Sequence, residues 1–237
     1  MAFWSKRADP RGQAWLALAE EFELTPAPEL ADALREHFDL GPGELGPIYG
    51  LSQPGQPQLL AFDQVNHRSG PLGRVANFRT GVVVRARAPH AAVSLRASSK
   101  RHAVLEGLEA GRSGAQRLDA AFDEDFDAAV SVYAREGEAA GLMLTSPVRA
   151  VLLRLLKAAD EALAASARRP QRAIPRHASG KAPSVAIGPR NLFLSLEAET
   201  PIALDVLENL IVDLLSLHVA LLAAGRVTPQ HTEPQGS

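Results

Sequence analysis

Residues 185–224, VAIGPRNLFLSLEAETPIALDVLENLIVDLLSLHVALLAA, change period once, and that change decides the fold class. Val185-Ala186-Ile187, then Gly188-Pro189-Arg190-Asn191, then Leu192 to Leu196 read as strand, turn and strand, because two short β-forming runs flank residues that turns require. From Thr200–Pro201 to about Ala224 the apolar residues recur at helical spacing, and Gly225 stands where a left-handed cap would close the helix. Asp205, Glu208, Asn209, Asp213 and Ser216 fall on one polar stripe and leave a broad Leu/Ile/Val face to bury. A hairpin followed by a long helix needs a sheet to complete and a layer to pack on.

The upstream sequence supplies both. Ser146–Pro147 joins an N-cap hydroxyl to proline at the first helical position, and Val148, Val151, Leu152, Leu155, Leu156, Ala159 and Leu163 follow as one apolar stripe. Before it, 48–51, 59–65 and 78–88 are short β-rich runs divided by Gly, Pro, Ser and Asn, with a weaker strand at 92–95 and another at 126–135. In VVVRARA, Val84, Ala86 and Ala88 alternate with Arg85 and Arg87, as in a strand with one face in water. Helical spacing covers 10–24 and 27–38, and the cluster Gly41-Pro42-Gly43 ends that region. Residues 97–121 have no clear period beyond a short helical signal at Val104-Leu105. Strands followed by helices favour an α+β fold over a doubly wound parallel sheet. The expected organisation is an N-terminal helical segment (1–45), an antiparallel sheet region (46–135), and a C-terminal two-helix plus hairpin unit (136–225). Within that unit 166–184 is expected to be a mobile loop, on three prolines, a glycine and no apolar period, and 226–237 a disordered tail.

Composition narrows the function classes. Hydrophobic residues make up 46% and charged residues 22% of the 237, which suits a globular core rather than disorder or a fibrous repeat. The absence of cysteine excludes disulfides, thiolate nucleophiles and thiolate metal sites. The start MAFWSKRADPRG interrupts its apolar residues too early for a signal-peptide core. Leu210 to Ala224 contains Asp213, Ser216 and His218 and is shorter than the roughly 20 residues a span needs. The expectation is a soluble, cytoplasmic chain with no membrane span.

Catalytic signatures are missing. Gly41 to Gly46 spells G-x-G-x-x-G, but a phosphate cradle needs a strand before it and a helix after it, and here the order is reversed. Asp123, Glu124, Asp125 and Asp127 lack the Gly and Glu that an EF-hand loop requires downstream, and read as outward carboxylates of a strand. The seven histidines include no pair at a spacing of three or four, and His218, on the apolar face of the last helix, reads as a hydrogen-bonded core residue. With no G-x-S-x-G, Walker loop or H-E-x-x-H, no catalytic residue, metal ligand or cofactor is expected.

Charge segregation is the feature left over. Between Gln64 and His102 eight basic residues occur with no Asp or Glu, and 164–190 is again basic, whereas 106–138 and 191–224 are acidic. Candidate polyanion contacts are Arg85, Arg87, Lys100, Arg101, Arg168, Arg169, Arg172 and Arg176. Aromatics do not interleave these runs, which argues against single-strand recognition by stacking.

From Phe122 to Leu222 the order of FDEDFDAAVSVYARE, EAAGLMLTSPVRAVLLRLL, SVAIGPRNLFLSLE and a closing Leu-rich helix resembles an uncharacterised bacterial family of unknown function. Phe122, Phe126, Val132, Tyr133, Ala139, Leu144, Ser146, Pro147, Leu192 and Leu196 carry the likeness, and Tyr49–Gly50 extends it upstream. The resemblance implies structural motifs and no activity. The functional expectation is a non-catalytic interaction or scaffold protein that self-associates with a like copy or binds a protein partner. Its alternative is a nucleic-acid or other polyanion-binding protein using 64–102 and 164–190.

Overall fold

The computed structural model describes residues 10–38, 40, 42–54, 56–70, 73–87, 89–100, 114–119, 121–167, 183–198 and 200–227. In chain order the elements are α1 (Pro10–Glu21), β1 (Thr25–Pro26), a 3-10 turn (Pro28–Leu30), α2 (Ala31–Phe38), β2 (Glu44–Leu51), β3 (Gln58–Gly70), β4 (Gly73–Arg85) and β5 (Leu95–Ser99). There follow β6 (Gln116–Arg117), α3 (Glu124–Ala129), β7 (Val130–Ala134), α4 (Gly137–Met143), α5 (Ser146–Ala167), β8 (Ser184–Ile187), β9 (Asn191–Ala198) and α6 (Leu204–Val227). The fold is α+β. All described strands join one antiparallel sheet in the order β1-β2-β3-β4-β9-β8-β5-β7-β6.

The hairpin β8–β9 is therefore inserted at the centre, between strands that precede it by about a hundred residues in sequence. Both outermost strands are two residues long, and one contains Pro26, which has no N–H to offer a further strand. In β2 the register slips between Leu45 and Ile48, across Gly46 and Pro47, where proline has no N–H to give to the ladder.

The two faces of the sheet carry different cores. Leu59, Ala61, Val82, Val84, Leu192, Leu194, Val185, Ala97 and Val132 point to one face, against Trp15 and Leu18 of α1, Leu152, Leu155 and Ala159 of α5, and Leu207, Leu210, Ile211 and Leu214 of α6. Leu60, Phe62, Val83 and Phe193 point to the other, under Leu34 of α2 and Leu40. Gly81 lies opposite Phe62 in the ladder, and a Cβ there would sit 2.4 Å from the ring, so glycine is what lets the phenyl lie across β4.

Several expectations change. β4 ends at Arg85 rather than running to 88. The expected alternation holds where it is described, with Val84 and Ala86 buried and Arg85 and Arg87 exposed. Val83, however, is buried under α2's core, so the wet positions are confined to the strand's end and the turn beyond, and Ala88 lies outside the described residues. Residues 124–129 are helical rather than extended, because the Asp123 side chain accepts the Phe126 backbone N–H and starts a turn before the strand begins at Val130. The four carboxylates are thus a helix cap and first turn, not a strand's outer row. α6 begins at Leu204 and runs through Gly225, which stays helical instead of capping. By length and composition Leu204–Gly225 could cross a membrane; here Leu207, Leu210, Leu214, Leu217 and Leu221 bury it against the sheet. Val104-Leu105, the loop 168–182 and the tail from 228 lie outside the described residues.

Candidate functional site

Two polar networks stitch the layers together. On the helix-covered face, Asp63 of β3 is buried and accepts from Arg11 Nε (2.8 Å) and Nη2 (3.0 Å), Trp15 Nε1 (2.6 Å) and Thr80 Oγ1 (2.7 Å). Arg11 Nη1 also donates to the Ile202 carbonyl, just before α6. A buried carboxylate is tolerable only when paired and hydrogen-bonded, and Asp63 has both. On the opposite face Arg79 donates to Glu197 Oε1 from Nε (2.8 Å) and Nη2, and through Nη1 to Gln64 Oε1 and the Leu40 carbonyl, each at 3.3 Å. Both sets are saturated with structural partners and hold α1, α6 and residue 40 to the sheet.

Above the first network lies a cleft of about 930 Å³ between α1, the end of α5 and the start of α6. Its walls are largely small: Ala14 and Ala17 of α1, Ala162 and Ala165 of α5, and Ala203. Glu21, Asp205 and Glu208 bring carboxylates to it. A smaller space of about 230 Å³ lies under Lys100, Phe122 and Asp127.

His90 and His218 meet edge to face, with ring centroids 5.1 Å apart. Both are buried, and among the described residues His90 Nδ1 and Nε2 and His218 Nδ1 make no hydrogen bond of ordinary geometry, the Gly188 backbone being the polar group that approaches His90. His218 is in the core as expected, although its Nδ1 makes no hydrogen bond among the described residues. Burial and the neighbouring His218 ring push His90 down to about 4, while the Gly188 backbone pulls weakly the other way; burial lowers His218 too. Ser131, Ser98, Ser184 and Ser195 lie side by side across β7, β5, β8 and β9, and the Ser98 and Ser131 hydroxyls are also unpartnered. Among the described residues no three His, Asp or Glu side chains converge on a metal position.

The candidate basic residues do not form one surface. Arg85 and Arg87 are exposed at the end of the sheet that holds the β8–β9 turn, beside Arg190, and Arg87 donates to the Gln53 (3.1 Å) and Gln56 (3.3 Å) carbonyls. Lys100 lies at the opposite end of the sheet, its Nζ donating to the Asp127 carbonyl. Arg79 and Arg96 face the sheet, Arg96 donating to Ser184 Oγ at 3.0 Å. Arg101, Arg168, Arg169, Arg172 and Arg176 lie outside the described residues.

No family model, curated protein or solved structure matches this chain. The likeness of 122–222 to an uncharacterised family therefore stands on the quoted motifs alone. What remains visible is surface. On α6, whose inner face forms the core, Val212 is 51% and Val219 63% exposed; Leu142 of the adjoining α4 is 68% exposed. Leu215 and Leu222 flank the two valines and are only partly covered. The sequence held this signal: 212, 215, 219 and 222 alternate steps of three and four, the seam that packs helix on helix. It was hidden because the polar stripe read on α6 occupies the same side in its first half.

Proposed function

We propose that this chain is a non-catalytic interaction protein that associates with a second copy of itself through the outward face of α6. The supporting observation is the pair Val212 and Val219, two turns apart and more than half exposed on the outward side of a helix whose inner face forms the core. A copy packed antiparallel would lay valine on valine. It would also bring the acidic first turns, Asp205 and Glu208, toward the end of the partner where Arg87 and Arg190 are exposed. Self-complementarity of this kind gives a closed two-fold pair.

Light scattering across a concentration series tests the reading. The wild-type chain should be a dimer, and Val212→Lys with Val219→Lys should give a monomer with an unchanged melting curve. A wild-type chain that stays monomeric throughout the micromolar range would end the proposal.

A second reading, polyanion binding, is favoured by the grouping of Arg85, Arg87 and Arg190 at one end of the sheet. Binding of a fluorescent DNA duplex should then weaken steeply with salt, and Arg85→Ala with Arg87→Ala should flatten that dependence. No binding at low salt removes this reading.

A further inference from the structure

The cleft between α1, α5 and α6 exists because helices that could pack closely present alanines to one another. Its walls, Ala14, Ala17, Leu18, Ala162, Ala165 and Ile202, are apolar, and it opens to the surface rather than forming an enclosed cavity. The charge balance inside it is uneven. Arg11 is the only basic residue of the described lining, and its charge is answered by Asp63 beneath it. Asp205 lies in the first turn of α6 and its Oδ1 accepts the Val206 N–H at 3.0 Å, so that carboxylate is matched by the helix terminus. Glu21, the last residue of α1, and Glu208, in the second turn of α6, have no such counterpart among the described residues.

We infer that this cleft is a docking groove for a short cationic segment of a partner protein, an apolar stretch flanked by two lysines or arginines. The apolar side chains would fill the space the alanines leave, and the two cations would meet Glu21 and Glu208. Charge complementarity selects this occupant over an acidic or neutral one, because an anion would face two carboxylates in a largely apolar setting. Val212 and Val219 are not among the lining residues, but Asp205 and Glu208 are, so peptide binding is measured on the Val212→Lys, Val219→Lys chain as well, where a retained groove separates it from self-association.

A phage library of random twelve-residue peptides, panned on the full chain, tests it. Enriched sequences should combine large apolar residues with at least two Lys or Arg. Synthetic versions should bind the wild-type chain in the micromolar range and Ala165→Trp, which fills the groove from an exposed position, at least about tenfold more weakly, a loss of ~1.4 kcal/mol. Glu21→Gln with Glu208→Gln should leave the fold intact by circular dichroism while removing most of the salt dependence of binding. Panning that enriches no sequence, sequences that lack basic residues, or peptides that bind Ala165→Trp as well as wild type would each overturn the proposal.

Discussion

At the scale of single residues, the protein keeps two histidines neutral in a place that offers them almost nothing. The folded state depresses His90 to about 4 from an ordinary 6.5, so it favours the uncharged ring. Stability tied to that preference is complete above pH 6.5, declines as pH falls toward 4 and levels off below it. We expect acid to cost on the order of 1–3 kcal/mol over this window through His90, and His90→Phe, which keeps an aromatic ring in the site, to flatten the decline. Urea melts of both chains at pH 7, 5.5 and 4 measure the difference; parallel loss in the two chains would show that the ring is already hydrated. The sequence placed His218 on a buried helical face but gave no sign of its partner. His90 lies 128 residues away in a loop without period, its backbone N–H held by the Pro189 carbonyl of the β8–β9 turn. The same holds for Asp63, whose partners Arg11 and Trp15 are about fifty residues upstream.

At the scale of elements, the long helices were legible because their burial is periodic. In α5, Val148, Leu152, Leu155, Leu156 and Ala159 are all buried, as the stripe requires. Leu155→Ala should therefore cost about 2–5 kcal/mol, as a fully enclosed leucine does when its neighbours cannot collapse into the space. A change below ~0.5 kcal/mol in denaturant melts would mean that the face is misassigned. The short helices were not legible. α3 is only six residues, and its Phe126 and Ala128, followed by Val130 of β7, imitate an alternating strand unless Asp123 is recognised as a cap. α4, with the sequence GEAAGLM, has too few large apolar residues to show any period, and it is fixed by the core it touches through Ala140. The groove was equally invisible, since it is made of what alanines lack rather than of any motif.

At the scale of the whole molecule, one sheet links almost every part of the chain, and its central pairings are its most distant in sequence. β4 pairs with β9 over eight residues, from Phe78↔Ala198 to Arg85↔Asn191, and β5 pairs with β8. Unfolding should be one cooperative transition, with near-ultraviolet and far-ultraviolet circular dichroism melting together. Deleting 184–198 should abolish that transition entirely rather than lower its midpoint, because it leaves two half-sheets with open inner edges. A deleted chain that still melts cooperatively would show that one half is a folding unit of its own.

The same insertion has a consequence for how the protein is made. β4 emerges from the ribosome about a hundred residues before its permanent neighbour, a delay of roughly 5–20 s at elongation rates of about 5–20 residues per second. Throughout that interval the inner borders of β4 and β5, rich in valine and alanine, have no lasting partner. The nascent chain must either pair them provisionally with each other and later open that register to admit the hairpin, or be shielded by a chaperone until residue 198 is free. Synonymous codons that slow translation between 100 and 184 would lengthen this exposure and lower the soluble yield without altering a single side chain.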